Sequence, residues 1–263
     1  MAIGPIVTLT TDFGTGSTYP AQMKGVILSI APHARVIDIT HDVPPQDVLE
    51  GALALEAAVP AFPAGTIHVA IVDPGVGSRR LAVAVLTDLG VFVGPDNGLF
   101  ELVLRMTEVR QTVALDRPAY HRVQVAPTFH GRDIFAPVAA HLANGAGLDM
   151  VGSTIGTLKR LSVPEARKVG DEVHGEVLTA DRFGNLITSI RAADLAERDM
   201  RSSVVVIGGV ATAFMGRTYA DVSVGELVAY LGSSGRLEVG LREGNALQQL
   251  GAGRGTDVIV KPG

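Results

Sequence analysis

The feature that most constrains this chain is an alternation of hydrophobic period through its first half. Residues 6–10, Ile-Val-Thr-Leu-Thr, form a short β-rich run that ends at Asp12-Phe13-Gly14. Residues 22–30 then carry apolar side chains at Met23, Val26, Ile27 and Ile30, which is helical spacing, and Pro32 stops them. Residues 36–39 read as a second strand. Residues 48–59 read as an Ala- and Leu-rich helix stopped by Pro60, and residues 66–72 as a third strand running into Asp73-Pro74-Gly75. Strand, helix, strand, helix, strand predicts an α/β layer with a mainly parallel sheet. Residues 81–86 and 91–93 add strands, and 99–106 and 134–142 add helices.

The second part changes character. Residues 173–178, 186–190, 204–207, 236–241 and 258–260 are short strands separated by Gly and polar residues, with one helical pattern at 224–231. Short, evenly spaced strands predict a small barrel or sandwich. A basic stretch broken by Pro164, within residues 154–171, reads as the linker. The expectation is an N-terminal α/β domain over residues 1–160 and a smaller C-terminal β-barrel domain over 170–263.

Composition excludes several classes. Of 263 residues, 47% are hydrophobic and 19% charged, too apolar for a disordered chain. There is no cysteine, which removes disulfides, Cys-ligated zinc, iron–sulfur clusters and thiol nucleophiles. A net charge of −5 leaves no electrostatic footprint for general nucleic-acid binding. No apolar stretch reaches the roughly 18 residues of a membrane span. No basic segment precedes an apolar run at the start, so no export signal is expected and the location expected is cytoplasmic.

In an open α/β sheet, ligands bind beyond the carboxyl ends of the strands. Those ends here deliver Asp12 in Thr-Asp-Phe-Gly and Asp73 in Val-Asp-Pro-Gly-Val-Gly-Ser-Arg-Arg. Later turns carry Gly94-Pro95-Asp96-Asn97-Gly98 and Thr128-Phe129-His130-Gly131-Arg132-Asp133. Taken singly, each reads as caps and turns. Jointly they put Asp12 and Asp73 at one sheet edge, where an Asp is a natural acceptor for a ribose diol. The glycines match neither a Walker loop nor a dinucleotide fingerprint. Asp73, an arginine of the Arg79-Arg80 pair and His130 make a charged set able to hold and polarise a water. The seven histidines show no metal-ligand spacing, so no metal is expected. His68, inside a strand, and His141, inside a helix, read as structural; His41 suits either the crevice or a turn.

These four motifs and a fifth, Asp181-Arg182-Phe183-Gly184-Asn185, occur in the same order in one family. The chain resembles the S-adenosyl-L-methionine (SAM) hydroxide adenosyltransferases, relatives of the bacterial fluorinase and chlorinase, from about Val7 to the Gly244-Asn245-Ala246 segment. The resemblance implies an α/β domain plus a C-terminal barrel, a homotrimer with ligand between subunits, and hydrolysis of SAM to adenosine and L-methionine without a cofactor. It selects Arg80 over Arg79, giving Asp73, Arg80 and His130 as the catalytic set. It implies Asp12 as ribose acceptor, and Thr128 and Phe129 around the ribose and reacting centre. Asn185 and Tyr219 fall to adenine, Asp181 to the methionine ammonium, and Ser233 to methionine. Tyr219 reads equally as a half-buried barrel tyrosine.

The halogenating relatives carry tyrosine where this chain has Asp73, and a carboxylate repels a halide. A chlorinase-like halogenase and a non-catalytic adenosine- or SAM-binding protein are the rival expectations. One departure stands out: many members have an acidic residue at the methionine end where this chain has Ser17.

Overall fold

Val7 and Leu9, fully buried, anchor β1 (Ile6–Thr11) in the computed structural model, which describes residues 4–196 and 202–263. The chain then enters α1 (Tyr19–Ile30), where Pro20 occupies the first turn and Pro20, Met23 and Ile27 turn inward at helical spacing. β2 (Arg35–Thr40) follows, then α2 (Val48–Ala58), whose first turn is capped by the Asp47 side chain accepting from the Glu50 N–H. β3 (Thr66–Ile71), β4 (Ala82–Thr87) and β5 (Gly90–Pro95) lead to a four-residue α3 (Glu101–Leu104) and to β6 (Val109–Ala114). A π-helical turn (Gly131–Phe135) runs into α4 (Ala136–Ala143), then α5 (Leu148–Val151) and β7 (Ser153–Thr154).

These elements form one compact unit, Met1–Leu161, around a sheet of order β2-β1-β3-β5-β4-β6-β7. β2, β1, β3 and β5 are mutually parallel, β6 shares their direction, and β4 and β7 oppose it. All six residues of β3 are buried, as befits a central strand covered on both faces. Ile67, Val69 and Ile71 join the core beneath α1 and α4, with Met23, Ile27, Phe135 and Val138. Ala70 and Val72 join the opposite core, with Leu55, Phe92 and Phe100. The expected α/β class holds, with a smaller helix at 99–106 than the apolar pattern predicts. Residues 97–100 are spent on a turn in which Asn97 Oδ1 accepts from the Leu99 N–H.

The second unit, Ser162–Gly263, holds β8 (Arg167–Val169), β9 (Glu172–Ala180), β10 (Leu186–Arg191), β11 (Ser203–Ile207), β12 (Ala211–Met215), β13 (Leu227–Leu231), β14 (Arg236–Leu241), a short α6 (Ala246–Leu250) and β15 (Asp257–Pro262). Strands run β10-β14-β13-β12-β11-β15-β9, and β9 pairs again with β10, so seven strands close a barrel while β8 adds to β9. Its interior is aliphatic, built on residues such as Val177, Leu186, Val205, Leu237 and Val258.

The helix expected at 224–231 is corrected: residues 227–231 are strand β13, antiparallel to β14 and parallel to β12. Gly225, at φ +82°, makes a turn there, and Glu226 accepts from the Ser223 N–H. Pairing on both edges then outweighs a helical spacing only two turns long.

Candidate active site

The chain leaves β1 for β2 on one side and returns to β3 on the other, so the crevice between the ends of β1 and β3 is a topological switch point. Thr11 lies opposite Ile71 in this pair, and Asp12 and Asp73 follow just beyond the paired ends. They line one cleft of about 260 Å³ together with Gln46, Thr128, Phe129 and His130. A larger cleft, about 600 Å³ beside Asp96, Glu101 and Arg160, contains none of the sequence-predicted site residues. Convergent polar chemistry, rather than size, marks the smaller one.

Local structure fixes each group. Asn97 donates its side-chain amide to the Val72 carbonyl at 2.8 Å, tying the Gly-Pro-Asp-Asn-Gly turn to the residue before Asp73. Gly77, at φ +76°, lies where a Cβ would stand 2.9 Å from the Pro127 carbonyl oxygen. Only glycine lets the loop after β3 approach the loop that carries Thr128. His130 sits at the start of the π-helical turn, a local widening of helix that recurs at functional sites.

The charged set is connected. Arg80 Nε lies 3.0 and 3.1 Å from the two Asp73 oxygens, and Nη2 lies 2.5 Å from Oδ2. The same Nη2 donates to His130 Nδ1 at 2.8 Å. Both Asp73 and Arg80 side chains are only 5% exposed. The guanidinium also stands 5.3 Å over the buried Phe135 ring. Burial, with Arg80 as a further cause, holds the His130 imidazole below its ordinary pKa, while Asp73 and Asp133 pull it back up. With Nδ1 accepting from Arg80, the neutral ring carries its proton on Nε2.

Asp12 Oδ2 accepts from the Gln46 N–H at 2.8 Å, which among the described residues leaves Oδ1 open to a hydroxyl. Gln46 holds φ +67°, a left-handed conformation uncommon outside glycine. Phe129 packs edge-on against Phe13 and Tyr19, with ring centroids 5.9 and 4.9 Å away. Arg132 covers it at 4.8 Å. Asp133, fully buried, accepts from Arg122, Arg132 and the Ala126 N–H, and so pins the loop carrying Thr128 and Phe129. These charge partners hold its carboxyl below the usual range against the opposing effect of burial. Ser17 accepts from the Tyr19 N–H and presents no carboxylate.

In the second unit, Asp181 Oδ1 accepts from the Phe183 and Asn185 N–H groups, and Oδ2 from the Asn185 side-chain amide. Tyr219 joins them. A Cβ on Gly240 would lie 2.6 Å from the Tyr219 ring and 2.7 Å from Asn185 Oδ1, so glycine there lets ring and amide meet over the strand. Ser233 lies exposed in the turn after β13.

The histidines separate cleanly. His41 binds Thr11 Oγ1 at 2.9 Å, sits 3.0 Å from Asp38 Oδ1 and lends its carbonyl to the Gly14 N–H, which settles it as a prop for the turn after β1. His68 is buried, bonded to Thr8 and stacked on Phe92. Arg79 is exposed and Arg80 turned inward. Sequence reasoning misses Gln46 as a cleft group and Tyr19 as the ring packed against the cleft residues Phe13 and Phe129. The aromatic Tyr19 beside Phe13 and Phe129 left a signal, whereas Gln46 left none, because its position depends on a backbone conformation.

A switch-point crevice holding an aspartate–arginine–histidine set, on a chain that also folds a closed seven-strand barrel, defines a two-unit α/β and β-barrel protein built for small-molecule chemistry. Family models for the SAM hydroxide adenosyltransferase N-terminal domain match residues 7–152, and those for the C-terminal domain residues 175–259. The chain belongs to the SAM hydroxide adenosyltransferase family. It is 42% identical over 266 residues to the (R)-S-adenosyl-L-methionine hydrolase of Salinispora tropica, covering 100% of both chains. The fluorinase of Nocardia brasiliensis is more distant, 27% identical over 292 residues, with 98% of this chain and 97% of the other covered. A crystallographically solved conserved protein of Thermotoga maritima superposes with a TM-score of 0.92 at 35% identity, over 97% of this chain and 99% of the other.

Proposed function

We propose that this protein hydrolyses S-adenosyl-L-methionine to adenosine and L-methionine. Water attacks the ribose 5′ carbon in line with the bond to sulfur; the new carbon–oxygen bond forms as the carbon–sulfur bond breaks, and its electron pair leaves on sulfur. The leaving group departs as a neutral thioether and needs no acid. The task of the site is to place and desolvate the nucleophile, an effect worth up to about 7–11 kcal/mol of barrier. The observation that carries the reading is the Asp73 carboxylate, lining the same cleft as Asp12 and gripped by Arg80, which also holds His130.

In this reading Asp73 accepts a hydrogen bond and then the released proton from the water, and Arg80 and His130 stabilise the developing hydroxide. Asp12 takes the ribose diol, with Thr128 and Phe129 around the reacting carbon. Asn185 and Tyr219 take adenine, and Asp181 and Ser233 the methionine end. The L prefix fixes the α-carbon, so the (R) in the Salinispora relative's name falls on the sulfonium. We take the same epimer for this chain. We further propose a cytoplasmic homotrimer in which each site uses the first unit of one subunit and the second unit of its neighbour, with no cofactor or metal.

The direct test supplies each sulfonium epimer separately and follows adenosine and methionine, with excess chloride in a parallel reaction. Adenosine from the (R) form alone, unaffected by a chelator, supports the reading. A 5′-chloronucleoside, or tight adenosine binding without turnover, sinks it. Mixing inactive Asp73→Ala and Asn185→Ala subunits tests the shared site: recovered activity is expected, and none overturns the trimer arrangement.

A further inference from the structure

Two barrel residues outside every assigned role connect to Tyr219. Glu238 of β14 stands directly opposite Tyr230 of β13 and receives a hydrogen bond from the Tyr230 hydroxyl. That hydroxyl lies 2.6 Å from the hydroxyl of Tyr219, and the two rings meet edge-on at 5.2 Å. Glu238 reaches this place because residue 232 is glycine, where a Cβ would fall 1.8 Å from the carboxylate. Tyr230 is 8% exposed and Tyr219 is 39% exposed, so the chain runs from the barrel wall to a surface ring.

We propose that Glu238, acting through Tyr230, is a positioning residue that orients the ring of Tyr219 for the adenine half of the substrate. The proposal rests on the reading of Tyr219 and Asn185 as adenine contacts.

The chain has a direction. Burial raises the Glu238 carboxyl while the hydrogen bond it accepts from Tyr230 opposes that; Tyr230, having given its one proton to Glu238, accepts from Tyr219. The Tyr219 hydroxyl is thereby committed inward, and its ring is held against Gly240 beside Asn185. A ring that stacks on a base contributes through its orientation, and a half-exposed tyrosine without a hydrogen-bond anchor would sample other rotamers. Burial first, with the neighbouring Glu238 carboxyl as a further cause, pushes the Tyr230 phenol upward, so this proton stays in place across the working pH range.

The test measures adenosine binding by calorimetry and steady-state SAM hydrolysis, with thermal melting to confirm folding. Tyr230→Phe and Glu238→Leu are each expected to weaken adenosine binding about tenfold, the scale of one lost hydrogen bond. KM for SAM should rise in step while kcat stays within about threefold. Glu238→Gln keeps an acceptor for Tyr230 and should retain near-normal affinity, whereas Tyr230→Phe keeps the packing and should still lose it, which a purely packing role would not predict. Should Glu238→Leu fail to fold, the isosteric Tyr230→Phe decides the matter. Normal binding by Tyr230→Phe, with weakened binding by Tyr219→Ala, overturns the relay and leaves the adenine reading intact. Normal binding by Tyr219→Ala overturns the adenine reading and the relay with it. A Glu238→Gln loss equal to that of Leu overturns the hydrogen-bond basis. Unmodified protein that binds adenosine but does not cleave SAM sinks the hydrolase reading, while the binding data still decide the relay.

Discussion

Arg80 grips Asp73 with a fork, Nε toward both carboxylate oxygens and Nη2 at 2.5 Å from Oδ2, and the remaining Nη2 proton reaches His130. Lysine offers one point charge on a flexible stem and cannot serve both partners at fixed angles. Arg80→Lys is therefore expected to lower kcat about 100-fold or more with a smaller change in KM. The neighbouring, exposed Arg79→Lys should leave both constants unchanged. Equal effects from the twin substitutions would show that the fork has no catalytic consequence.

The hydrogen bond from Arg80 to His130 Nδ1 needs a neutral imidazole. Burial and the adjacent guanidinium already hold that ring below its ordinary value. Activity should thus be level through neutral pH and fall only below the usual imidazole range near ~6.5, as His130 takes a proton and loses the bond. A pH–rate profile with a midpoint above that value would contradict the assignment.

His68 supplies a stability prediction with a definite sign. Burial pushes its imidazole down to about 4. The unfolded chain takes up a proton below about 6.5, where the folded chain cannot, so the stability lost on acidification is at most about 3 kcal/mol by pH 4. The contribution is whole above the unfolded value and drains away between the two. In thermal melts from pH 7 to pH 5, the wild type should lose more stability than His68→Gln. Parallel losses would place the acid sensitivity elsewhere.

Gln46 keeps its N–H on Asp12 through a left-handed backbone. Gln46→Gly is expected to hold or raise stability by up to ~1 kcal/mol, and Gln46→Val to lower it by about 1–2 kcal/mol. Denaturant titration of both variants checks this. A rise in KM in the glycine variant, with the fold intact, would separately show that the Gln46 side chain meets substrate.

Much of this molecule is readable from residues alone, and the unreadable parts share a cause. β1 and β3 announce themselves as short runs rich in β-branched residues, Ile-Val-Thr-Leu-Thr-Thr and Thr-Ile-His-Val-Ala-Ile, that stop at turn residues, and their ends expose Asp12 and Asp73 at once. Motif order picks out Asp73, Arg80 and His130 across 57 positions, but local spacing alone cannot choose between Arg79 and Arg80, since that depends on the turn at Gly75 and Gly77. Residues 227–231 read as helix because Leu227, Val228 and Leu231 satisfy either period, and the deciding hydrogen bonds come from strands distant in sequence. Gln46 and Glu238 stay silent for the same reason: one depends on a backbone angle and the other on a cross-strand neighbour.

The closed barrel has a kinetic corollary. Its cycle is completed only when β15 slots between β11 and β9, with Asp257 opposite Glu176, so every local hairpin of the second unit can form and still leave an open sheet. Loop-closure entropy must be overcome before that last seam rewards the chain, which makes the joining of distant segments the expected slow step in assembling this half of the protein.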